Sequence, residues 1–440
     1  MQNVTNIAVV GSGISGLACA WLLRQHYRVT VFEAAPRLGG HTNTVDVTVD
    51  GTTHPVDTGF LVFNEKTYPN LIALFDTLGV DSVQTEMSFA VSLEKPDLEW
   101  AGSRLATVFG QKRNLLRRPF WAMLSDILRF NRESTVWLAA HPADERPLGD
   151  FLREGRYSEA FADWYLLPMA AAIWSCPTAQ MRDMPLATFI RFCQNHGLLQ
   201  IFDRPLWRTV RGGGREYVNR IAAQLDDVRL ASPVQRVTRE ASGLRVTHAH
   251  GSEVFDQVVL ACHSDQSLAI LGETASAGQR DVLAAVRYQP NRAVLHTDPH
   301  LLPRDRRLWS AWNYFAGSGD PGHQPVGVSY LINRLQPLPF ETPVVVTLNP
   351  AREPDPAKVI AEFDYDHPVF DASAIAAQRR LADDMLGIQG EGGVWLAGAW
   401  GRYGFHEDGL RSALRVANLM GIAAPWQKVH ASRSPALAQA

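Results

Sequence analysis

The chain has 440 residues, with 42 Lys or Arg against 45 Asp or Glu and a formal net charge of -3. Its 46% hydrophobic content can build a sizeable core, and 20% charge of balanced sign excludes a disordered chain. The near-neutral total also excludes a general nucleic-acid binder, which needs a basic surplus against phosphate, and at about 150 residues per domain the length predicts two or three domains.

In chain order, residues 6–10 form an apolar strand, 11–16 a glycine turn, 17–26 a helix and 27–32 a second strand ending at Glu33. This is a βαβ unit, the nucleus of a parallel sheet. Residues 45–57 alternate as a hairpin about Asp50-Gly51, and 68–78 form a helix stopped by Gly79. From 87 to 200 the pattern is mainly helical and rich in Trp, Phe and Leu, with breaks at Pro119, Pro142, Pro147, Pro177 and Pro185. Strands return at 228–239, 244–249, 255–261, 292–296, 326–331, 344–348 and 393–397, before a helix at 409–420. The Ala/Ser-rich residues 429–440 are expected to be a disordered tail. Nucleotide-type strands at both ends and in the middle predict interleaved units.

Lysine is confined to Lys66, Lys95, Lys112, Lys358 and Lys428, so nearly all positive charge is Arg. Cys19, Cys176, Cys193 and Cys262 have no C-x-x-C spacing, so neither a zinc site nor a disulfide framework is predicted, and no metal is expected. The first residues carry no basic charge, and no apolar run approaches the roughly 18 residues of a membrane span. The expectation is a cytoplasmic protein, peripheral to the inner membrane face at most. That second option comes from 104–132, where Arg104, Lys112, Arg113, Arg117, Arg118, Arg129 and Arg132 face one acid, Asp126, among many apolar residues. Either a solvated helix face or a lipid-contacting surface accounts for it.

Gly11-Ser12-Gly13-Ile14-Ser15-Gly16 is a complete G-x-G-x-x-G between a strand and a helix. Its glycines permit a tight turn and close approach of a pyrophosphate to a helix N-terminus, while Glu33 can accept from ribose hydroxyls. Glu33 also begins Glu33-x-x-x-Arg37-x-Gly39-Gly40, with a cation and two residues lacking side chains just past the second strand.

With these motifs the sequence resembles the flavin-containing amine oxidases and their relatives, including phytoene desaturases and protoporphyrinogen oxidases. Trp395-Leu-Ala-Gly398-Ala-Trp400 and Gly404-Phe405-His406-Glu407-Asp408-Gly409 support the resemblance near the other end of the chain. Asp57-Thr-Gly59-Phe60, continuing to Tyr68-Pro-Asn70, resembles a bacterial branch of NAD/FAD-binding proteins that accompanies cyclopropane-fatty-acid synthase-like enzymes. The resemblance implies an α/β fold, with a Rossmann-like FAD-binding domain (1–85, 205–268 and 390–425) interleaved with an α+β substrate domain (86–204 and 269–389). It implies FAD contacts from Gly11, Gly13, Ile14, Ser15, Gly16, Glu33, Ala34, Arg37, Gly39, Gly40, His41 and Thr42. Gly59, Phe60, Val234, Gly398, Gly404, Phe405, Asp408, Gly409 and Leu410 complete that set, with Val234 at the adenine. Non-covalent FAD is expected, because no cysteine follows Cys262 to make a cysteinyl link. The acid that holds the ribityl chain elsewhere in the family is replaced at Gly398-Ala399, so that contact is expected from another residue. The strand that carries the amine oxidases' lysine corresponds roughly to 291–296, which offers Arg292 and His296 instead.

The resulting expectation is an FAD-dependent oxidoreductase that passes a hydride from a substrate carbon to flavin N5, with a fatty acyl or other lipid chain as substrate. An amine oxidase and an accessory flavoprotein without turnover are the alternatives. His406, Glu407 and His296 are the catalytic candidates, and Trp400, Tyr403 and Trp312 the candidates for a substrate cavity. Gly212-Gly213-Gly214 is expected to be a turn before a helix, His248 and His250 surface residues, Cys262 a packing residue and His196 a helix cap.

Overall fold

The computed structural model describes residues 5–142, 144–200, 204–317 and 327–427. The expected tail at 429–440 lies outside the described residues. The fold is α/β. A five-stranded sheet, entirely parallel, takes its strands in the order Asp227–Arg229, Arg28–Phe32, Asn6–Val10, Gln257–Leu260, Val394–Leu396. A parallel sheet requires cover on both faces, and Asn6–Val10 shows how the sequence provides it. Ile7 and Val9 pack with Leu17, Ala18 and Leu410, whereas Ala8 and Val10 pack with Phe255, Leu260 and Leu283.

The helix after the glycine turn spans Ile14–Leu23, three residues earlier at each end than expected, because Ile14, Ser15 and Gly16 already form its first turn. It crosses the helix His406–Leu419 so closely that a Cβ on Gly409 would lie 2.7 Å from Ile14 Cγ2. This second helix also starts early, because the Asp408 side chain accepts from the Phe405 amide at 3.1 Å and caps the first turn.

A seven-stranded sheet runs Val359–Asp364, Arg292–His296, Val345–Leu348, Gly327–Leu331, Trp312–Ala316, Phe89–Leu93, Leu98–Ala101. The last two strands correct the helical expectation for 87–200. Phe89–Leu93 pairs parallel with Trp312–Ala316, a partner more than two hundred positions away. The rest of that segment is helical, and Phe120, Phe130, Phe161 and Phe189 pack it onto Val91, Leu93, Val328 and Val346 of the sheet. The strand expected at 228–239 breaks in two at 230–233, where Ala231 adopts φ 47° and Pro233 cannot donate to a ladder. Its second half, Val234–Glu240, joins Gly243–His248 and Gly251–Phe255 in an antiparallel sheet. Among the described residues no helix is long and apolar enough to cross a membrane.

Candidate active site

The carboxyl ends of the parallel strands and the inner face of the seven-stranded sheet enclose one cavity of about 1380 Å³. That exceeds the roughly 300–1,000 Å³ of a pocket for one small molecule, so a cofactor and a substrate chain can share it. Val10, Phe32, Ala261 and Gly398, each at or just past the end of a parallel strand, form one wall, and Phe89, Trp100, Trp312, Tyr330 and Leu348 form the other.

At the parallel-sheet end, the three glycines of the first motif divide the work. A Cβ on Gly11 would stand 2.9 Å from the Ala261 carbonyl oxygen, and one on Gly16 would stand 1.9 Å from the Gly11 oxygen. A Cβ on Gly13 would meet nothing within 4 Å, because that backbone faces the cavity. Ile14, Ser15, Glu33, Ala34, Gly39, Gly40, His41 and Val234 also line this end. Glu33 accepts from the Ser12 amide at 2.9 Å and the Ala35 amide at 2.8 Å, and its carboxylate keeps lone pairs for a further donor.

Several residues expected to touch a cofactor stand behind the wall. Gly16 and Gly409 allow close backbone and helix packing, and Leu410 is core at 0% exposure. Arg37 turns from the cavity to donate to the Gly40 carbonyl at 2.9 Å, fixing the Gly39-Gly40 turn. Thr42 bonds Tyr217 and His406, and Asp408 is the helix cap described above.

Gly59, Phe60, Gly404, Phe405 and His406 form the middle of the wall. The His406 Nε2 lies 2.8 Å from Thr42 Oγ1 and 3.2 Å from Tyr217 Oη, and burial pushes its pKa down to about 3. Next to Phe60, whose amide donates to the His41 carbonyl at 3.0 Å, the His41 ring stacks with His367 at 5.4 Å and lies tilted against Tyr365 at 5.0 Å. Burial also lowers the pKa values of His41, His263 and His367, the last to about 4. The imidazoles facing the cavity are therefore neutral. His41 Nε2, His263 Nδ1, Trp312 Nε1 and Trp400 Nε1 are buried with no hydrogen-bond partner among the described residues. Orphaned polar atoms on a cavity wall fit an occupant rich in acceptors.

The other two catalytic candidates are corrected by their positions. Glu407 is 4% exposed and off the cavity wall; it accepts from the Leu71 amide at 3.0 Å and Asn70 Nδ2 at 2.6 Å, and pairs with Arg411 at 2.9 Å. It caps the first turn of the helix Pro69–Leu78. His296 is fully buried, with Nε2 2.8 Å from Thr347 Oγ1 and Nδ1 accepting from the Asp298 amide at 3.0 Å. Arg292, on the same strand, is spent on Glu353 and Glu362. His248 is not a surface residue: it packs against Phe32 at 5.1 Å and is 7% exposed.

Trp312, Trp400 and Tyr403 all line the cavity. The sequence reading missed Met169, Ile173, Phe192 and Tyr330 beside them, because apolar residues on buried helices and strands carry no mark that separates cavity wall from core. Phe192 joins the two sets, stacking on Phe405 at 5.3 Å and contacting Tyr403 at 5.6 Å. His196, the cap of the helix Leu186–Asn195, also faces the cavity and stacks on Phe192 at 4.0 Å.

The family model for flavin containing amine oxidoreductases matches residues 14–420. The chain belongs to that family. As a flavin containing amine oxidoreductase it is a flavin-dependent enzyme. A carotenoid phi-ring synthase from Streptomyces griseus is 27% identical over 329 residues, which cover 69% of this chain and 59% of the relative. The chain thus spans less than two-thirds of that curated relative. Among solved structures, the CLA-producing fatty acid isomerase from P. acnes superposes with a TM-score of 0.65 at 15% identity, covering 96% of this chain and 100% of its own. Cyclohexylamine oxidase from Brevibacterium oxydans IH-35A gives 0.64 at 18%, covering 95% and 98%. Within the flavin containing amine oxidoreductase fold, no lysine lines this cavity among the described residues, and Lys358 pairs with Asp298 at 3.3 Å.

Proposed function

We propose that this chain is an FAD-dependent oxidoreductase that holds FAD non-covalently and oxidises or desaturates a fatty acyl or other lipid chain. The observation that carries the reading is the continuity of the cavity from the open face of Gly13 to an apolar wall of Met87, Phe89, Met169, Ile173 and Tyr330. The Gly11–Gly13 backbone and the N-terminus of Ile14–Leu23 would hold the pyrophosphate, Glu33 the ribose and Val234 the adenine. Ser15 lies on the cavity wall and would take the ribityl contact of the missing acid through its hydroxyl, which also accepts from Ser412 Oγ at 3.4 Å. Cys262 lies on the wall, but burial pushes its thiol up to about 11, so it stays a protonated, unreactive group. In this reading 1–85, 205–268 and 390–425 form the cofactor unit, and 86–204 with 269–389 the substrate unit.

When bound, FAD supplies the acceptor for a hydride leaving a substrate carbon. The protein's part is to orient the chain between Phe192, Trp312 and Tyr330, exclude water with apolar walls, and keep the facing imidazoles neutral. The absence of lysine from the wall, together with the apolar lining, ranks the amine reaction second. Exposed Leu105, Leu116 and Trp121 among Arg104, Lys112 and Arg118 support peripheral membrane contact through 104–132. Anaerobic mixing of the holoprotein with acyl lipids, and separately with polyamines, tests the substrate class. Bleaching of the flavin by the lipid is expected, and bleaching by polyamines alone overturns the reading.

A further inference from the structure

Four of the residues that line the cavity are arginines exposed to solvent. They are Arg104, Arg204, Arg307 and Arg334, and backbone and side-chain contacts gather the segments that carry them. Thr85 pairs with Trp207, Arg334 bonds Glu86, the Trp312 amide donates to the Ser88 carbonyl and the Gly102 amide donates to the Phe89 carbonyl. Two of the four charges are matched: Arg334 by Glu86 at 2.9 Å and Arg307 by Asp305 in its own turn. Among the described residues Arg104 has no ion pair, and Arg204 donates from one nitrogen to the Gln200 carbonyl at 2.9 Å and has no carboxylate partner. Among the described residues, two exposed guanidinium groups without a carboxylate partner thus share the cavity lining with Met87, Phe89, Met169 and Ile173.

We propose that Arg104 and Arg204 form a binding site for the anionic end of the substrate, a carboxylate or phosphate, whose apolar chain runs inward toward the glycine loop. The inference rests on the acyl reading above and adds polarity and direction to it. Guanidinium forks match the paired oxygens of these anions, whereas an entering ammonium group meets like charge at the rim. The site also selects against uncharged chains of the same length, which forfeit the charge-assisted bonds.

The test is titration of the flavin absorbance of the holoprotein with oleate and with oleyl alcohol, which share a chain and differ in the head. Wild type is expected to bind oleate about 10-fold or more tightly than the alcohol, the scale of a charge-assisted hydrogen bond. The R104Q/R204Q variant is expected to lose that preference with its alcohol affinity unchanged, while R132Q, an arginine off the cavity wall, keeps it. Equal binding of both ligands, unaffected by the double variant, overturns the head-group site and leaves the acyl reading standing. Failure of both ligands to bind wild type overturns the two together. Flotation with phosphatidylglycerol vesicles separates the sources of the anion: a double variant that loses vesicle binding but keeps its oleate preference assigns the rim to a bilayer and overturns the substrate site.

Discussion

His406 lies flat against Phe60, with ring centroids 3.7 Å apart and planes 16° from parallel. The stack joins the N-terminus of the last long helix to the Gly59-Phe60 segment, and both rings face the cavity. Because burial holds the His406 pKa down at about 3, the imidazole is neutral throughout the physiological range. H406Q is expected to weaken flavin binding about 2- to 10-fold through the lost ring contact. The shape of kcat against pH, followed from about pH 5 to 9, is expected to stay the same. Loss of a limb near the ordinary histidine range would assign His406 a proton-transfer role instead.

The first and third glycines of the motif serve the fold, and the middle one faces the cavity. A Cβ on Gly16 falls 1.9 Å from a backbone oxygen, so G16A is expected to destabilise the protein by roughly 2 kcal/mol or more, seen as a lower urea midpoint. Gly13 faces open space, so G13V is expected to keep the far-ultraviolet circular dichroism of wild type. Its flavin affinity falls about 10-fold or more. A G13V protein that binds flavin normally contradicts the placement of the pyrophosphate.

Buried ionisable groups set opposing pH trends. His196, His296 and His367 are lowered to about 4 and His406 to about 3 by burial, so the fold binds fewer protons than the unfolded chain below the ordinary histidine pKa. These groups stabilise the protein at neutral pH and withdraw that stability as pH falls. Asp57 and Asp408, raised to about 6 by burial, act in the other direction: their contribution is full below the ordinary carboxylate pKa and lost as pH rises through about 6. The histidines outnumber the carboxyls, so stability is expected to rise between about pH 4.5 and 6. D57N removes one opposing group and is expected to steepen the rise by about 1.4 kcal/mol per pH unit in urea titrations. An unchanged or shallower slope contradicts a raised Asp57 pKa.

Leu105 and Leu116 are 80% and 89% exposed, and Trp121 is held beside them by donation of its Nε1 to the Leu115 carbonyl at 2.9 Å. L105E/L116E is expected to reduce cosedimentation with anionic vesicles about 10-fold or more, since each leucine loses roughly 1.5–3 kcal/mol of burial. It should leave the flavin spectrum intact. Unaltered cosedimentation would return 104–132 to the role of a solvated face.

The sequence was most informative where function depends on local backbone. The glycine turn, the Asp50-Gly51 hairpin with φ of 51° and 74°, and the Gly79 stop at φ 67° all follow from residues within a few positions of one another. Phe89–Leu93 was missed because its partner, Trp312–Ala316, lies far along the chain and short apolar runs fit helix or strand alike. His296 and Glu407 had suitable chemistry but the wrong surroundings. Thr347, Asp298, Asn70 and Leu71 had already claimed their polar atoms, and no spacing rule encodes that.

The central claim is that this cavity brings an acyl carbon to the flavin for hydride removal. Its most direct test is anaerobic single-turnover reduction of the holoenzyme with oleate, chain-deuterated oleate and putrescine in parallel. The account predicts bleaching by oleate, a slower rate with the deuterated chain and no reaction with putrescine. Reduction by putrescine alone, with no response to either oleate, would contradict it.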